Sequence, residues 1–518
     1  MEKTVAQKIK AEVNRVLGEL GWPDQDWQIY VPDQPEHGHY AVNTAMVLAR
    51  PMKSDPMKLA AELAKRIEGY QAKIAKPGFI NFFLTAEQLN QEWQNLMSGL
   101  DRQITVDQVK KIQVEFVSAN PTGPLTLGNG RGGFFGDVLG NVLARVGHQV
   151  VKEYYVNDAG FQVRRLGESV LGHPEATYRG DYIEELKKIV KSRDPDEAGR
   201  EAADHILEKM IKPDVKKIGL KFDTWFSERE LYRKKEVEAT LAKLKERGLT
   251  EEKEGALWLK TTSFGDDKDR VLVKASGEMT YLMTDLAYHR NKFDRGFDLI
   301  IDIWGADHQG HIQPLVQGLK ALDYPAHQLK ILIAQWVKVL KDGQELRISK
   351  RRGAYITIAE LVDQVGLDAV RYFFLERSLN SHLNFDFNLA VKRSSDNPVY
   401  YIQYAHARIN SIFEKLNYSP ERTGNPEALL DHPSELSLMA TLLHYPETVT
   451  SIAESYEVHK LPQFSSQLAS ALHQFYRDCP VADAEPIKQK ARLMLLSTVK
   501  GILGESLQLM GISAPNKM

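Results

Sequence analysis

The segment from Val114 to Asp158 constrains the fold of this chain more than any other, and it reads VEFVSANPTGPLTLGNGRGGFFGDVLGNVLARVGHQVVKEYYVND. Apolar residues at Ile112, Val114, Phe116 and Val117 predict a short strand. Apolar residues at helical spacing then predict a long helix that ends near Gly147, and a second apolar strand follows. The order strand, helix, strand predicts a βαβ unit, which places the chain in the α/β class.

The turn between the first strand and the helix is rich in glycine and proline. It contains Pro121, Gly123, Pro124, Gly128, Gly130, Gly132 and Gly133. Small residues leave the first N–H groups of the helix accessible, and a helix N-terminus is a favourable site for an anion. The pattern predicts a phosphate-binding turn, with an ordinary strand-to-helix connection as the alternative.

A second informative segment is Leu299 to His311, LIIDIWGADHQGH. Its apolar run predicts a strand that ends at Gly305, and Asp307, His308, Gln309 and His311 follow at the carboxyl end. Ligands of doubly wound parallel sheets bind at that edge, where an acid can hold a ribose hydroxyl. A metal site formed by the acid and the two histidines is the competing interpretation.

The third segment is basic and reads LRISKRRG, from Leu346 to Gly353. Lys350 and the neighbouring arginines are suited to following a polyphosphate and to stabilising charge that develops on it. A solvated basic loop is the simpler alternative.

Together these segments resemble the class I aminoacyl-tRNA synthetases, and specifically the arginyl-tRNA synthetases. Arg347-Ile348-Ser349-Lys350-Arg351 is similar to the class motif Lys-Met-Ser-Lys-Ser. The resemblance covers essentially the whole chain, in the strings HGHYAVNTAM, GFINFFL, VEFVSANPTGP, EYYVNDAG, FDTWFSE, YLMTDLAYH, WGADHQGH, GLDAVRYFF, NPVYYIQYAHARI and GISAPNKM. It implies ATP-dependent activation of L-arginine and transfer of the arginyl group to the 3′-terminal ribose of tRNA(Arg).

One motif departs from the family pattern. Thr126 and Asn129 occupy the positions of the two histidines in the His-x-Gly-His motif, which in the family bind ATP phosphates. A hydroxyl and an amide can donate neutral hydrogen bonds but supply no positive charge. We therefore expect activity that is reduced or compensated, and a non-catalytic RNA-binding paralogue is one alternative. A class I synthetase for another amino acid is the other.

The resemblance assigns roles to individual positions. The residues expected to act in catalysis are Lys350, Thr126, Asn129, Arg347 and Arg351, and those expected to bind ATP are Gly128, Gly130, Asp307, His311 and Ser349. Mg²⁺ is expected to accompany ATP, held by phosphates and water rather than by a protein site. The arginine-binding set is Glu115, Asn120, Tyr281, Asp285 and Gln309.

The arginine side chain needs acceptors in the plane of its guanidinium group, because that group has five donors and no acceptor. Tyr281 and Asp285 stand four residues apart and would share one face of a starting helix. We assign these two to the guanidinium group. Glu115, Asn120 and Gln309 are assigned to the α-amino end and nearby groups.

Three domains are expected. Residues 1–105 resemble the family's small N-terminal α/β module, which contacts the tRNA elbow. Residues 106–395 would form a Rossmann-type catalytic domain with a charged helical insertion, and residues 396–518 an all-α anticodon-binding bundle. The expected RNA contacts are Phe79, Asn81, Tyr400, Tyr404, His406 and Arg408. For Phe79, Tyr400 and Tyr404 a place in the core is the alternative.

Composition is consistent with these expectations. The formal net charge of −2 argues against a nonspecific nucleic-acid coat, so tRNA would need a local basic face. The single cysteine, Cys479, fits a reducing cytoplasm. No apolar run approaches the roughly 20 residues of a membrane helix, and the first residues predict an acid-bearing amphipathic helix rather than a signal peptide. We expect a cytoplasmic monomer.

Overall fold

The computed structural model describes residues 3–32, 34–106, 108–174, 176–346, 356–419, 426 and 428–518. The first part of the chain forms a four-stranded antiparallel sheet in the order β1-β2-β4-β3, packed against helices. Its elements are α1 (Val5–Leu20), β1 (Ile29–Tyr30), β2 (Tyr40–Val42), α2 (Thr44–Ala49), α3 (Pro56–Ala64), β3 (Gln71–Ala75), β4 (Phe79–Phe83) and α4 (Ala86–Gln103). This is the small α/β module expected from the sequence.

The next part begins with the predicted βαβ unit. Its strands and helix are β5 (Lys111–Glu115), α5 (Leu127–Arg145) and β6 (Gln149–Val156). The following elements, five helices and one strand, are α6 (Gly160–Leu171), α7 (Asp181–Ile189), α8 (Pro195–Ile206), α9 (Lys212–Lys217), β7 (Thr224–Ser227) and α10 (Glu228–Arg233). A π-helical turn, Leu207–Ile211, joins α8 to α9.

The chain continues through α11 (Glu236–Glu246), β8 (Thr250–Lys253), β9 (Ala256–Leu259), β10 (Arg270–Val273), α12 (Tyr281–Asp294), β11 (Leu299–Gly305), α13 (Ile312–Ala321) and β12 (Leu329–Ala334). Strands β8, β9 and β10 form a small antiparallel sheet that the charge pattern did not predict. Each strand has only four residues, which is too short for an apolar alternation to be recognised, and β8 is entirely polar.

A parallel five-stranded sheet, in the order β12-β11-β5-β6-β7, organises this part of the molecule. The chain leaves β5 toward β6 and β7 on one side and later returns to β11 and β12 on the other. The strand order therefore reverses between β5 and β11, and ligands bind in the crevice at the carboxyl ends of strands at such a point.

The described chain then forms a second small sheet and a helical bundle. The elements are β13 (Val337–Lys341), β14 (Gln344–Glu345), α14 (Ile358–Val365), α15 (Leu367–Leu375), β15 (Leu383–Asp386), α16 (Phe387–Ala390), α17 (Pro398–Lys415), α18 (Pro433–Leu443), α19 (Tyr445–Ser455), α20 (Lys460–Asp478) and α21 (Pro486–Leu509). From α17 onward the described residues contain helices and no strand, as expected for residues 396–518. None of the described helices has the length and apolar character that a membrane span requires.

Candidate active site

A cavity of about 600 Å³ lies at the carboxyl ends of β5 and β11, where the strand order reverses. Nine of the fifteen residues that the resemblance assigns to catalysis, ATP or arginine line it: Glu115, Asn120, Thr126, Gly128, Asn129, Tyr281, Asp285, Asp307 and His311. Gly130 and Gln309 are not among the lining residues. Arg347, Ser349, Lys350 and Arg351 lie outside the described residues.

The loop that follows β5 has an unusual backbone. Val117 and Ser118 have φ angles of 67° and 36°, in the left-handed region that a β-branched residue such as valine rarely adopts. Hydrogen bonds hold the loop in this shape: the Ser118 hydroxyl donates to Glu115 (2.8 Å), and the N–H of Tyr155 donates to the Ser118 oxygen (3.0 Å). Such local strain concentrates at functional sites, and both Val117 and Ser118 line the cavity.

Three acids lie side by side across the floor of the site. The strand register pairs Asp302 with Glu115, and Glu115 with Glu153, so all three side chains project from the same face of the sheet. The cations that neutralise them come from one face of α12. Lys292 Nζ lies 2.5 Å from Glu115 and 2.7 Å from Asp302, and Arg295 donates to Glu153 at 2.5 Å.

Further donors complete this buried network. The Tyr288 hydroxyl contacts Glu115 at 2.9 Å and Glu153 at 2.6 Å. His289 lies 2.7 Å from Asp302 through Nε2 and 2.8 Å from the backbone oxygen of Asp285 through Nδ1. Burial would raise the pKa of Asp302, but Lys292 and His289 hold it at about 2. The network fixes the orientation of α12 and of the residues at its start.

Asp285 differs from the acids of the floor because its carboxylate is not neutralised. No side chain or backbone group of the described residues donates a hydrogen bond to it, although it lines the cavity. Burial raises its pKa, and the nearby His289, His311 and His308 only partly oppose that shift. Asp285 is partly buried, and a carboxylate withdrawn from water without a partner is costly, so this position favours a ligand that brings a cation.

Glu228, at the carboxyl end of β7, adds a second acid to this region. Its pKa is raised to about 8, mainly by burial and with help from the charges of Asp285 and Asp158, while a hydrogen bond with Tyr155 opposes the shift. The side-chain amide of Asn157 donates a hydrogen bond to the Glu228 carboxyl at 2.8 Å. Sequence reasoning missed Glu228 although it closes the string FDTWFSE. An acid directly after a strand of the same parallel sheet was the available signal.

The opposite end of the cavity is the N-terminus of α5. Thr126 is the N-cap, and its oxygen accepts a hydrogen bond from the N–H of Asn129 (3.3 Å). The Asn129 side-chain oxygen in turn accepts from the N–H (2.9 Å) and the hydroxyl (2.8 Å) of Thr126. This capping box commits the Thr126 proton to Asn129 and leaves the Asn129 amide N–H₂ without a partner among the described residues.

Gly130 has a packing role in this helix. A Cβ atom there would lie 2.6 Å from the side chain of Ile358, so only glycine allows α14 to approach α5 so closely. Gln309 is exposed on the short 3₁₀ turn Ala306–His311, outside the cavity wall. On that turn His308 lies 3.6 Å from Asp307. Among the described residues, no cluster of three or more His, Cys, Asp or Glu side chains could hold a metal.

The expected RNA contacts fall into two groups. On α17, the Tyr400 and Tyr404 rings are parallel with centroids 6.5 Å apart, and Arg408 lies 3.6 Å above the ring of Tyr476. Tyr404 also stacks on His473, which gives an aromatic and cationic surface. His406 instead points inward and contacts the carbonyl of Pro515 at 2.9 Å. In the N-terminal module, Phe79 is half-buried and Asn81 is buried in β4.

Comparison with known proteins gives a consistent result along the chain. Residues 3–84 match the family model "Arginyl tRNA synthetase N terminal domain", residues 180–413 match "tRNA synthetases class I (R), catalytic domain", and residues 402–518 match "DALR anticodon binding domain". The arginine–tRNA ligase of Oceanobacillus iheyensis is 41% identical, with 99% of each chain covered. That of Carboxydothermus hydrogenoformans is 39% identical, with the same coverage.

Solved structures agree. A putative arginyl-tRNA synthetase from Campylobacter jejuni is 34% identical with a TM-score of 0.76, covering 84% of this chain and 100% of that one. The Thermus thermophilus arginyl-tRNA synthetase, at 20% identity, shares the fold with a TM-score of 0.79 over 99% of this chain and 100% of its own. With identities near 40% over nearly the whole length, the chain belongs to the arginine–tRNA ligase family of class I aminoacyl-tRNA synthetases.

Proposed function

We propose that this chain activates L-arginine with ATP and transfers it to tRNA(Arg), using the cavity between β5 and β11. The arginine carboxylate attacks the α-phosphorus of ATP and displaces pyrophosphate. The 3′-terminal ribose hydroxyl of the tRNA then attacks the arginyl carbonyl and releases AMP. The observation that carries the proposal is the carboxylate of Asp285, which has no cationic partner among the described residues and lies near Glu228. Asp285 lines the cavity that the N-terminus of α5 also lines.

The guanidinium group is assigned to Asp285 and Glu228, with Tyr281 beside them. A guanidinium group, a planar cation with five donors, would supply the positive counter-charge for Asp285 and would donate hydrogen bonds to the carboxyl of Glu228. Tyr281 is 48% exposed and lines the cavity, so its ring and hydroxyl are available to a ligand. Citrulline is neutral and would leave these acids unpaired.

Glu115, Asn120 and Gln309 are assigned to the other end of arginine. Asn120 lines the cavity and donates to Gln162 at 2.6 Å, which leaves its oxygen free for an α-ammonium group. Glu115 already accepts hydrogen bonds from Ser118, Tyr288 and Lys292, so it acts mainly through the negative potential that it adds. Gln309 would reach the substrate only if its exposed turn closed over the cavity.

ATP is assigned to the α5 end of the site. Backbone N–H groups at the start of α5, with Gly128 and the free amide of Asn129, would contact the phosphates, and Thr126 would hold Asn129 in place. Asp307 and His311 are suited to the ribose. Lys350, Arg347, Arg351 and Ser349 are proposed to meet the pyrophosphate, and Mg²⁺ would enter bound to ATP, held mainly by phosphates and water.

The decisive test is arginine-dependent exchange of pyrophosphate into ATP, with tRNA present, across the standard amino acids and citrulline. Exchange with arginine alone is the expected result. Exchange with a different amino acid would overturn the arginine assignment. No exchange with any of them, at micromolar enzyme, would support the non-catalytic RNA-binding alternative.

The tRNA is proposed to bind along all three expected domains, 1–105, 106–395 and 396–518. Tyr400, Tyr404 and Arg408 would stack on and pair with anticodon-loop bases, while the half-buried Phe79 would meet the elbow and the buried Asn81 would support β4. His406 would support the bundle rather than touch RNA. Tyr404→Ala should raise the KM for tRNA without changing the KM for arginine, and an unchanged tRNA KM would remove α17 from the interface.

We also propose that the enzyme works as a cytoplasmic monomer. Light scattering on the full chain should give a mass near the 58.7 kDa of one chain. A stable dimer would contradict the proposal.

A further inference from the structure

Trp336 is the most exposed large apolar side chain of the described residues, at 59% exposure, and it lines the active-site cavity. It lies between β12, which ends at Ala334, and β13, which begins at Val337. Its indole ring stacks on no other ring, and its N–H donates no hydrogen bond, among the described residues. A tryptophan left open beside a binding cavity suggests a ligand surface rather than a core position.

The backbone that carries this ring is firmly held. The Trp336 carbonyl accepts from the buried Arg131 (3.3 Å) and from the N–H of Leu383 (3.0 Å). At Gln335 the carbonyl accepts from Arg131 (3.1 Å), and the N–H donates to Leu379 (3.0 Å). Because both carbonyls are fixed by hydrogen bonds, the ring projects from a preorganised backbone, and a stacking ligand has to order only the side chain.

The same cavity contains space for a flat group. Gly128 and Gly132 are one turn apart on α5 and line the cavity without side chains. A Cβ atom at Gly132 would meet only Ile303, at 3.5 Å, and one at Gly128 would meet only Thr126, at 3.7 Å. The helix therefore presents a smooth face in the cavity that Trp336 also lines.

We propose that Trp336 is a positioning residue that stacks on the adenine ring of ATP. This inference rests on the proposed function and refines it. The neutral Thr126 and Asn129 give the phosphates no positive charge, and a stacking contact supplies binding energy from the other end of the nucleotide. Every base has a π face, and stacking on an aromatic side chain contributes about 1–3 kcal/mol per base. The ring holds the nucleotide so that its α-phosphate stays at the start of α5.

The test uses adenosine, which carries the base but no phosphate, as the probe for the full-length chain. Trp336→Ala should weaken adenosine binding by roughly 5- to 150-fold, the equivalent of one lost stacking contact. It should raise the KM for ATP in pyrophosphate exchange by a similar factor and leave the KM for arginine unchanged. Trp336→Phe keeps a stacking surface and should recover most of the affinity.

A fluorescence measurement gives a readout that a purely structural role would not change. Adenosine should quench tryptophan emission of the wild-type chain, and Trp336→Phe should abolish that quenching while still binding adenosine. Trp258→Phe is the matched control, because Trp258 lies on β9 and lines neither this cavity nor the adjoining cavity of about 1010 Å³ that Asp158, Glu228 and Tyr281 line.

Three outcomes would overturn the inference: unchanged adenosine affinity in Trp336→Ala, undiminished quenching in Trp336→Phe, or a rise in the KM for tRNA instead of ATP. The last would assign the ring to the terminal nucleotide of the tRNA. Adenosine binding requires neither arginine nor tRNA. Its dependence on Trp336 can therefore fail while exchange succeeds, or survive while exchange fails, which separates this inference from the proposed function.

Discussion

The two ends of the active-site cavity are built differently. The amino-acid end is enclosed and dense in charge: a row of acids crosses the sheet, residues of α12 and its C-terminal end neutralise it, and Asp285 remains without a cationic partner among the described residues. The phosphate end is open and neutral, formed by a helix cap with Thr126 and Asn129 at the surface. Under the proposed function, selection of the amino acid would therefore depend on a rigid buried network, whereas nucleotide binding would depend on backbone groups, a neutral amide and the basic segment that begins at Arg347.

The largest expected effect comes from the amino-acid end. Asp285→Asn keeps the shape of the side chain and removes its charge, so a bound guanidinium loses its main partner. Loss of a required polar partner in a buried site costs about 10⁴–10⁵ in discrimination, and we expect arginine-dependent exchange to fall to background. Asp307→Asn, at the ribose position, is the matched control and should retain exchange at high ATP. A modest increase in arginine KM would show that Asp285 is not the guanidinium partner.

The second effect concerns the support beneath the pocket. Lys292→Met removes the fully buried cation that Glu115 and Asp302 share, while the contacts of Tyr288 with Glu115 and of His289 with Asp302 remain. Breaking a buried ion pair by removing one partner costs about 3–5 kcal/mol, so the free energy of unfolding in urea should fall by about that amount. Lys274→Met removes an exposed ion pair with Glu278 and should change it by less than about 1 kcal/mol. Equal, small changes in the two variants would mean that the network is not a source of rigidity.

The third effect tests the neutral phosphate end. Asn129→His restores a group that can carry positive charge where the family motif has histidine. Because removing a transition-state donor outright costs about 10²–10³ in rate, we expect the restored imidazole to raise kcat by about tenfold and Asn129→Ala to lower it. Both variants lose the same capping interaction, so comparing their melting temperatures separates stability from catalysis. Equal losses of activity in both variants would contradict the prediction and would mean that the Asn129 amide is the better hydrogen-bond donor at this position.

The smallest effect is a pH dependence at Glu228. Its pKa of about 8 in the folded, ligand-free protein is raised from 4.5, so the folded state binds the proton more tightly than the unfolded chain. The free energy of unfolding should therefore fall as pH rises from about 4.5 through about 8. Arginine favours the ionised carboxyl, and its Kd should improve roughly fivefold from about pH 7 to about pH 8, with release of a proton.

Calorimetry in buffers of different ionisation enthalpy measures that proton directly. Glu228→Gln should abolish both the release and the pH dependence of the arginine Kd. Proton release that persists in this variant would assign the titration to another group, with Asp285 the first candidate.

Local sequence predicted the framework of the site because its signals lie within short windows. The periodicity around Val114–Asp158 gave β5, α5 and β6, and the apolar run before Gly305 gave β11. Thr126 and Asn129 stand at the cap spacing, three residues apart, but the sequence interpretation assigned them to phosphates and did not predict their mutual hydrogen bonds. The strings that resemble the family, spread over the chain, agree with the comparisons.

Tertiary structure decided which of those residues are free to act. Glu115 is hydrogen-bonded to Lys292, which lies 177 positions away in the chain. The space beside Gly130 is occupied by the side chain of Ile358, on a helix that comes much later in the chain. Glu228 lies near Asp285, and the exposed Trp336 lies beside the cavity, because separate strands end at the same edge of one sheet. Periodicity and motif spacing act over one or two turns of chain, whereas burial, charge pairing and free donors are properties of the packed neighbourhood. The sequence by itself therefore determined which chemistry is present, and the packing determined which groups remain available for it.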